Sequence, residues 1–333
     1  MIWLKFIACV AAIAWGGTRL SRYGDVIAEK TGLGGNWIGL VLLATVTSLP
    51  ELMTGLSAVT VANAPEIAIG DVLGSCVFNL AILVVVDFLH REAPLYTRAG
   101  HGHILSAAFG VVMIGLAGLF LLLAREGAVP SIGRVGAYTP LIVALYLLAM
   151  RMIYAYERRE MAQFVEAAAE RYADLTLRRA LAGYAIAAAV VVAAGIWLPF
   201  IGEDIAVTMG WHASFVGTLF VAAATSAPEL AVTVAAVRIG ALDMAVANLL
   251  GSNLFNLLIV AVDDALYDGG PILAHVTPVH AVSALTAVIM TGAAIVGLLY
   301  RPAGRVAGTV SWISVFLLGL YAVNAYVLFR YGA

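Results

Sequence analysis

Along this 333-residue chain the apolar positions do not alternate with polar ones as they would on a half-buried strand or a surface helix. They run on in blocks of about 20 residues, the length an α-helix needs to cross the hydrocarbon core of a bilayer. Resolving the blocks predicts about ten helices, over 3–22, 35–60, 67–88, 102–123, 136–156, 180–201, 212–236, 243–263, 276–299 and 307–329. The most charged stretch, Tyr156 to Arg179, falls between the fifth and sixth and reads as a solvated amphipathic connector. The expected organisation is a five-helix repeat over 1–156, a connector over 157–179 and a second five-helix repeat over 180–333.

Composition agrees with a lipid solvent: 63% of residues are hydrophobic and 11% charged, too little polar surface to coat a soluble globule. The fold class expected is therefore an all-α integral membrane protein, with the lipid bilayer as its first partner. A net charge of −2, with no basic run and no phosphate-cradling glycine loop, gives no reason to expect nucleic acid as a partner. No protein partner can be named from the chain. Cys9 and Cys76 both lie in predicted spans, so no disulfide is expected. Residues 1–14 have the make-up of a signal peptide, with Lys5 ahead of an apolar run. Their counterpart in the second half marks them instead as part of the fold.

That counterpart belongs to an internal repeat. Gly39 to Leu52 reads GLVLLATVTSLPEL and Gly217 to Leu230 reads GTLFVAAATSAPEL; each is followed by a second phrase, GSCVFNL from Gly74 and GSNLFNL from Gly251. An offset of 178 residues pairs Gly24 with Gly202, Ala28 with Ala206, Thr47 with Thr225, Ser48 with Ser226, Pro50 with Pro228 and Glu51 with Glu229. Beyond the first phrase the offset is 177, pairing Ser75 with Ser252, Phe78 with Phe255 and Asn79 with Asn256. With an odd number of helices in each half, the second half enters the membrane from the opposite face, the inverted-topology arrangement of secondary transporters. Of the 18 Lys and Arg, only Lys5, Arg125, Arg134 and Arg330 fall on one face. The positive-inside rule then puts both termini outside and the connector in the cytoplasm. The outer loops carry Glu66, Glu126, Glu203, Asp204, Asp263, Asp264 and Asp268, either as a lure for cations or as ordinary loop solvation.

The chemistry sits in the repeated phrases. Pro50 and Pro228 have no N–H, so the carbonyls of Val46 and Ala224 lose their helical partners in mid-membrane, which is tolerated only where backbone is buried in protein or lines a wet cavity. Thr47 and Ser48, four and three residues before Glu51, share a face with that carboxylate, and Thr225 and Ser226 do so with Glu229. On the following helices Asp71, Ser75 and Asn79, and Asn248, Ser252 and Asn256, form polar stripes at four-residue spacing. Gly74 and Gly251 permit close helix approach there. The expected cage is Glu51, Glu229, Asn79 and Asn256 with the hydroxyls of Thr47, Ser48, Ser75, Thr225, Ser226 and Ser252, an all-oxygen donor set that suits a hard cation such as calcium. Single hydroxyls also serve as glue between helices; a lone intramembrane carboxylate makes costly glue, and two at symmetric positions point to function. Asp71 is either part of the transport site or a vestibule residue at a helix end. The six histidines fall at loops or helix ends without paired spacing and read as interfacial.

At these residues the chain resembles the sodium/calcium exchangers of the cation/calcium antiporter superfamily, whose two alpha repeats carry a G-T-S-x-P-E phrase and a G-S-N-x-F-N/D phrase. The resemblance spans both halves. It implies ten transmembrane helices in two inverted-topology five-helix repeats, ions held by the second, third, seventh and eighth helices, and a first and sixth helix that slide to alternate access. By position it makes Glu51 and Glu229 the shared sodium and calcium carboxylates, flanked by the six hydroxyls and by the carbonyls of Ala44 and Ala222. Three departures stand out: Asn256 where calcium-transporting relatives commonly carry aspartate, Cys76 for the first asparagine of G-S-N, and Val46 and Ala224 for the opening glycines.

The expectation is a non-enzymatic inner-membrane antiporter, without a cofactor, that exchanges Na+ for Ca2+ around one central cage. A proton-coupled calcium exchanger is the alternative and a cation channel a weaker one. An enzyme is disfavoured because the chain shows no nucleophile–base pair and no metal-activating histidine set.

Overall fold

The computed structural model describes residues 2–31, 44–127, 129–161, 175–238, 240 and 242–332. Among them eight helices are long and apolar enough to span a membrane, and a bent pair makes up to a ninth. They are α1 (Ile2–Thr31), α3 (Pro65–Leu89), α5 (Gly102–Arg125), α6 (Tyr138–Met161), α7 (Leu177–Met209), α11 (Leu242–Leu266), α12 (His280–Tyr300) and α13 (Trp312–Tyr331). Between α1 and α3 lies α2 (Leu49–Ser57), which widens into a π-helical turn, Ala58–Ala62. Asn63 ends it in the left-handed conformation, φ 50°, and Pro65 opens the next helix. The earlier part of the predicted 35–60 helix, including Gly39, lies outside the described residues, as do 162–174 of the predicted connector. A short α4 (Leu95–Arg98) precedes α5. The bent pair comprises α8 (Ala213–Val216), a π-turn at Gly217–Val221 and α9 (Ala222–Thr225), followed at a 45° bend by α10 (Ala227–Arg238).

Burial sorts these helices into layers. α3 and α11 are the most enclosed and cross where Asn253 donates to the Cys76 carbonyl at 3.2 Å and Asn79 donates to the Asn253 side chain at 3.0 Å. The Asn253 amide thus ties together positions 76 and 253, equivalent in the repeat, where Cys76 stands opposite Asn253. α5, α6, α12 and α13 flank this centre and turn Leu119, Leu147, Leu285, Leu318 and Tyr326 outward, as lipid-facing surfaces do. α1 and α7 pack along each other on the opposite side, against α2, α9 and α10.

Buried carboxylates fasten the ends of the helices. Asp87 accepts from the backbone N–H of Leu95 (2.9 Å) and of Ser311 (2.6 Å) and from the Ser314 hydroxyl (2.6 Å). Asp264, 177 residues on, accepts from the N–H of Ile272 and of Gly136 (2.8 Å each), from Thr139 Oγ1 (2.5 Å) and from the Tyr138 hydroxyl. A second pair obeys the same offset: Glu66 accepts from Thr277 N and His280 Nε2 at 2.6 and 2.7 Å, and Asp243 from Gly100 N and His103 Nε2 at 2.7 and 2.9 Å.

These contacts correct three sequence expectations. His103 and His280 are a matched pair held by carboxylates, not unrelated interfacial rings. Asp263 and Asp264 are fully buried in α11 instead of lying in an outer loop, and Glu66 is fastened to the start of α12. Asp71 is fully buried among other side chains and does not sit at a helix end.

Candidate ion-binding site

Each proline phrase folds as its chemistry requires. Pro50 and Pro228 withhold the N–H that residues 46 and 224 would accept from, and the chain turns at the preceding serine-containing step: Ser48 has φ −87°, ψ 12° and Ser226 φ −82°, ψ 9°. Both lie in the sparsely populated bridge region, where site residues are often found. The helical ladder resumes on either side, with Ser48 N–H donating to the Ala44 carbonyl and Ser226 N–H to the Ala222 carbonyl, 3.0 Å each. Those carbonyls also accept from the neighbouring threonine hydroxyls, Thr47 to Ala44 at 3.2 Å and Thr225 to Ala222 at 3.1 Å.

The breaks bring the two halves of the chain onto one another. Ser226 Oγ donates to Glu51 Oε1 at 3.0 Å, and Ser48 Oγ to Glu229 Oε1 at 2.9 Å, so each glutamate is oriented by the serine of the other phrase. Ser75 and Ser252 add longer contacts of 3.4 and 3.3 Å to the same Oε1 atoms. Thr225 donates to Asp71 Oδ1 at 2.8 Å, while at the equivalent position Thr47 meets Asn248 at 3.4 Å.

All ten predicted side chains, from Thr47 to Asn256, are fully buried. They do not exhaust one another's bonding capacity. Glu51 Oε2, Glu229 Oε2, Asp71 Oδ2, Asn79 Oδ1 and both polar atoms of Asn256 have no hydrogen-bond partner in the protein. Unpaired buried oxygens of this kind are costly unless something else satisfies them. Among the described residues no Lys or Arg is buried, so no fixed cation balances these carboxylates. Nor do three Asp, Glu, His or Cys side chains converge as they would at a resident metal centre. A small desolvated cation is what this set of few charges and many neutral oxygens can accept.

A family model described as sodium/calcium exchanger protein matches residues 1–155 and 179–330. The chain belongs to the sodium/calcium exchanger family. It is accordingly a multi-pass membrane transporter of the cation/calcium antiporter kind and not an enzyme. Over 279 residues it is 28% identical to the inner membrane protein YrbG of Escherichia coli (strain K12), covering 78% of each chain. It is 24% identical over 251 residues to the putative antiporter CaxA of Alkalimonas amylolytica, covering 74% of this chain and 75% of that one. The sodium/calcium exchanger MaX1 of Methanosarcina acetivorans is 31% identical over 114 residues, 32% of each. Among solved structures, native YfkE superposes with a TM-score of 0.68 at 16% identity, covering 99% of this chain and 92% of that one. The sodium-calcium exchanger NCX_Mj superposes at 0.63 and 20% identity, covering 98% and 99%. At these identities the structural likeness establishes the exchanger fold.

One member of the site differs from the sequence expectation in weight. The sequence allows Asp71 either a transport or a vestibule role, and the structure ties it through Thr225 and Ser75 to the Glu51 side of the cage.

Proposed function

We propose that this family member is an inner-membrane Na+/Ca2+ antiporter that works by alternating access around the cage, with ten transmembrane helices in two inverted five-helix halves, 1–156 and 180–333, joined by a cytoplasmic connector, and both termini outside. The observation that carries the reading is the pair of fully buried glutamates, each held by a serine from the other half, each keeping one unbonded oxygen, with no buried Lys or Arg among the described residues. Desolvated charges of one sign need mobile counter-charges. Glu51 and Glu229 are the carboxylates that sodium and calcium share. Thr47, Ser48, Ser75, Thr225, Ser226 and Ser252, the amides of Asn79 and Asn256 and the carbonyls of Ala44 and Ala222 supply neutral oxygens around them. The two cargoes compete because either neutralises the same groups. Asp71 supplies near the cage the charge that Asn256 withholds, so the ions balance three carboxylates. α1 and α7, packed together against both proline breaks, are the helices that slide.

The test is calcium uptake into sodium-loaded proteoliposomes. Glu51→Gln and Glu229→Gln are each expected to abolish it while the protein still inserts and purifies. The double variant should be no worse than either single one, since both glutamates serve one cage. Near-normal flux from either variant contradicts the assignment.

A proton-coupled calcium exchanger is the second reading, since a proton neutralises a buried carboxylate as well as sodium does. We favour sodium because hydroxyls flank both glutamates, Thr47 and Ser48 in one phrase and Thr225 and Ser226 in the other, so that each carboxylate has neutral oxygens of its own beside which a monovalent ion can bind, which a titrating proton does not need.

A further inference from the structure

Asp263 is the one buried carboxylate of α11 that nothing in the fold explains. It is 0% exposed and neither of its oxygens has a hydrogen-bond partner, whereas the adjacent Asp264 accepts four bonds. It does not come from the repeat either: the equivalent residue 177 positions earlier is Val86, while Asp264 has Asp87. On α11 it lies seven residues, two helical turns, beyond Asn256, so it extends the stripe of Asn248, Ser252 and Asn256 away from the cage.

Its carboxylate rests on α2. A Cβ added to Gly55 would lie 2.5 Å from Asp263 Oδ2 and 2.8 Å from Oδ1. Gly55 is one turn beyond Glu51 on the same helix. Its neighbour Thr54 carries a buried hydroxyl without a partner, as Asp71 carries an unpartnered Oδ2. Asp71 is one turn before Ser75 on α3 and within electrostatic reach of Asp263. Asp71 also lacks an acidic mate, since Asn248 stands at the equivalent position. Two acids thus break the two-fold pattern, in an interior where no Lys or Arg is buried among the described residues. A buried, unpaired carboxylate stays ionised only when a partner compensates its charge.

We infer that Asp263, with Asp71 and Thr54, forms a second subsite for a hard cation, calcium in the first instance, one step out from the central cage between α2, α3 and α11. The subsite is present on one side only, so the two faces of the transporter differ in how they receive the ion. Glycine at position 55 leaves the space that the carboxylate and its ion occupy. This inference rests on reading the central cage as the cargo site.

The test is an isothermal titration of the purified full-length protein with calcium in sodium-free detergent buffer. The wild type is expected to show two classes of calcium site. Asp263→Asn, which removes the charge and keeps the shape, should abolish one class and keep the other. Gly55→Ala, which displaces the carboxylate without changing any charge, should weaken the same class. Glu51→Gln should remove the complementary class, and if it leaves the wild-type isotherm unchanged the cage reading fails while the Asp263 result still stands. A single calcium class in the wild type that both Asp263→Asn and Gly55→Ala leave unaltered overturns the subsite. Asp263→Asn removes an unpaired buried charge, so its melting temperature in calcium-free buffer should equal or exceed that of the wild type; a markedly lower one means that Asp263 is structural and also overturns it.

Discussion

Asp264→Asn should destabilise the protein by about 3 kcal/mol, and the bonding geometry dictates why. Oδ1 accepts from Ile272 N and the Tyr138 hydroxyl, and Oδ2 from Gly136 N and Thr139 Oγ1. Asparagine keeps one oxygen and replaces the other by an NH2 group. Whichever way the amide turns, one backbone N–H, of Ile272 or Gly136, faces another donor and is orphaned. The hydroxyl beside it can rotate to accept from the new NH2, so only one donor is lost outright. An unsatisfied buried N–H costs roughly 1–3 kcal/mol, and the remaining bonds lose the extra strength, about 1 kcal/mol each, that an ionised acceptor confers. The assay is thermal unfolding in detergent at constant lipid, beside the twin Asp87→Asn, which loses the same kind of clamp at Leu95 and Ser311. A loss below about 1 kcal/mol for Asp264→Asn refutes the reasoning, because it requires that the clamp contribute no more than one ordinary neutral hydrogen bond.

Asn256→Asp should tighten calcium binding and change the sodium-to-calcium ratio, since an added carboxylate favours the divalent ion; calcium titration and flux ratios check it, and unchanged values of both mean that residue 256 does not touch the ions. Gly17→Ala should slow exchange more than tenfold while calcium binding persists: an added Cβ would fall 2.1 Å from the Pro228 ring, so α1 can no longer lie against the broken segment. Wild-type turnover in that variant argues against close passage of α1 over the break.

Helix placement was legible because apolar block length is a strong signal, and residues 65–89 and 102–125 lie close to the predicted 67–88 and 102–123. The helices run longer than the blocks where polar ends are held by protein: α3 ends on the Asp87 clamp, and α11 runs past Asp263 to Leu266. The convergence of the proline phrases was also legible, since the offset of 178 pairs Glu51 with Glu229 and Ser48 with Ser226. Which serine holds which glutamate was not, because the exchange across halves depends on how the two breaks face each other. The carboxylate clamps were missed for a different reason. Asp87, Asp264, Glu66 and Asp243 stand at helix ends, where acids usually meet water, and only their partners in distant loops reveal them as buried locks. Applying the 177 offset to His103 would have found His280. Nothing of that kind announces Asp263, whose equivalent is Val86; the signal there is the break in symmetry itself.

The central claim is that sodium, bound among the hydroxyls that flank Glu51 and Glu229, drives calcium across the membrane. Its most direct test is calcium uptake into proteoliposomes at fixed pH, with a protonophore present and an outward sodium gradient as the sole driving force. The account predicts uptake that collapses when the sodium gradient is removed, and that in Ser48→Ala with Ser226→Ala loses sodium dependence more than calcium affinity. Uptake driven by a pH gradient alone, with sodium inert, would contradict it.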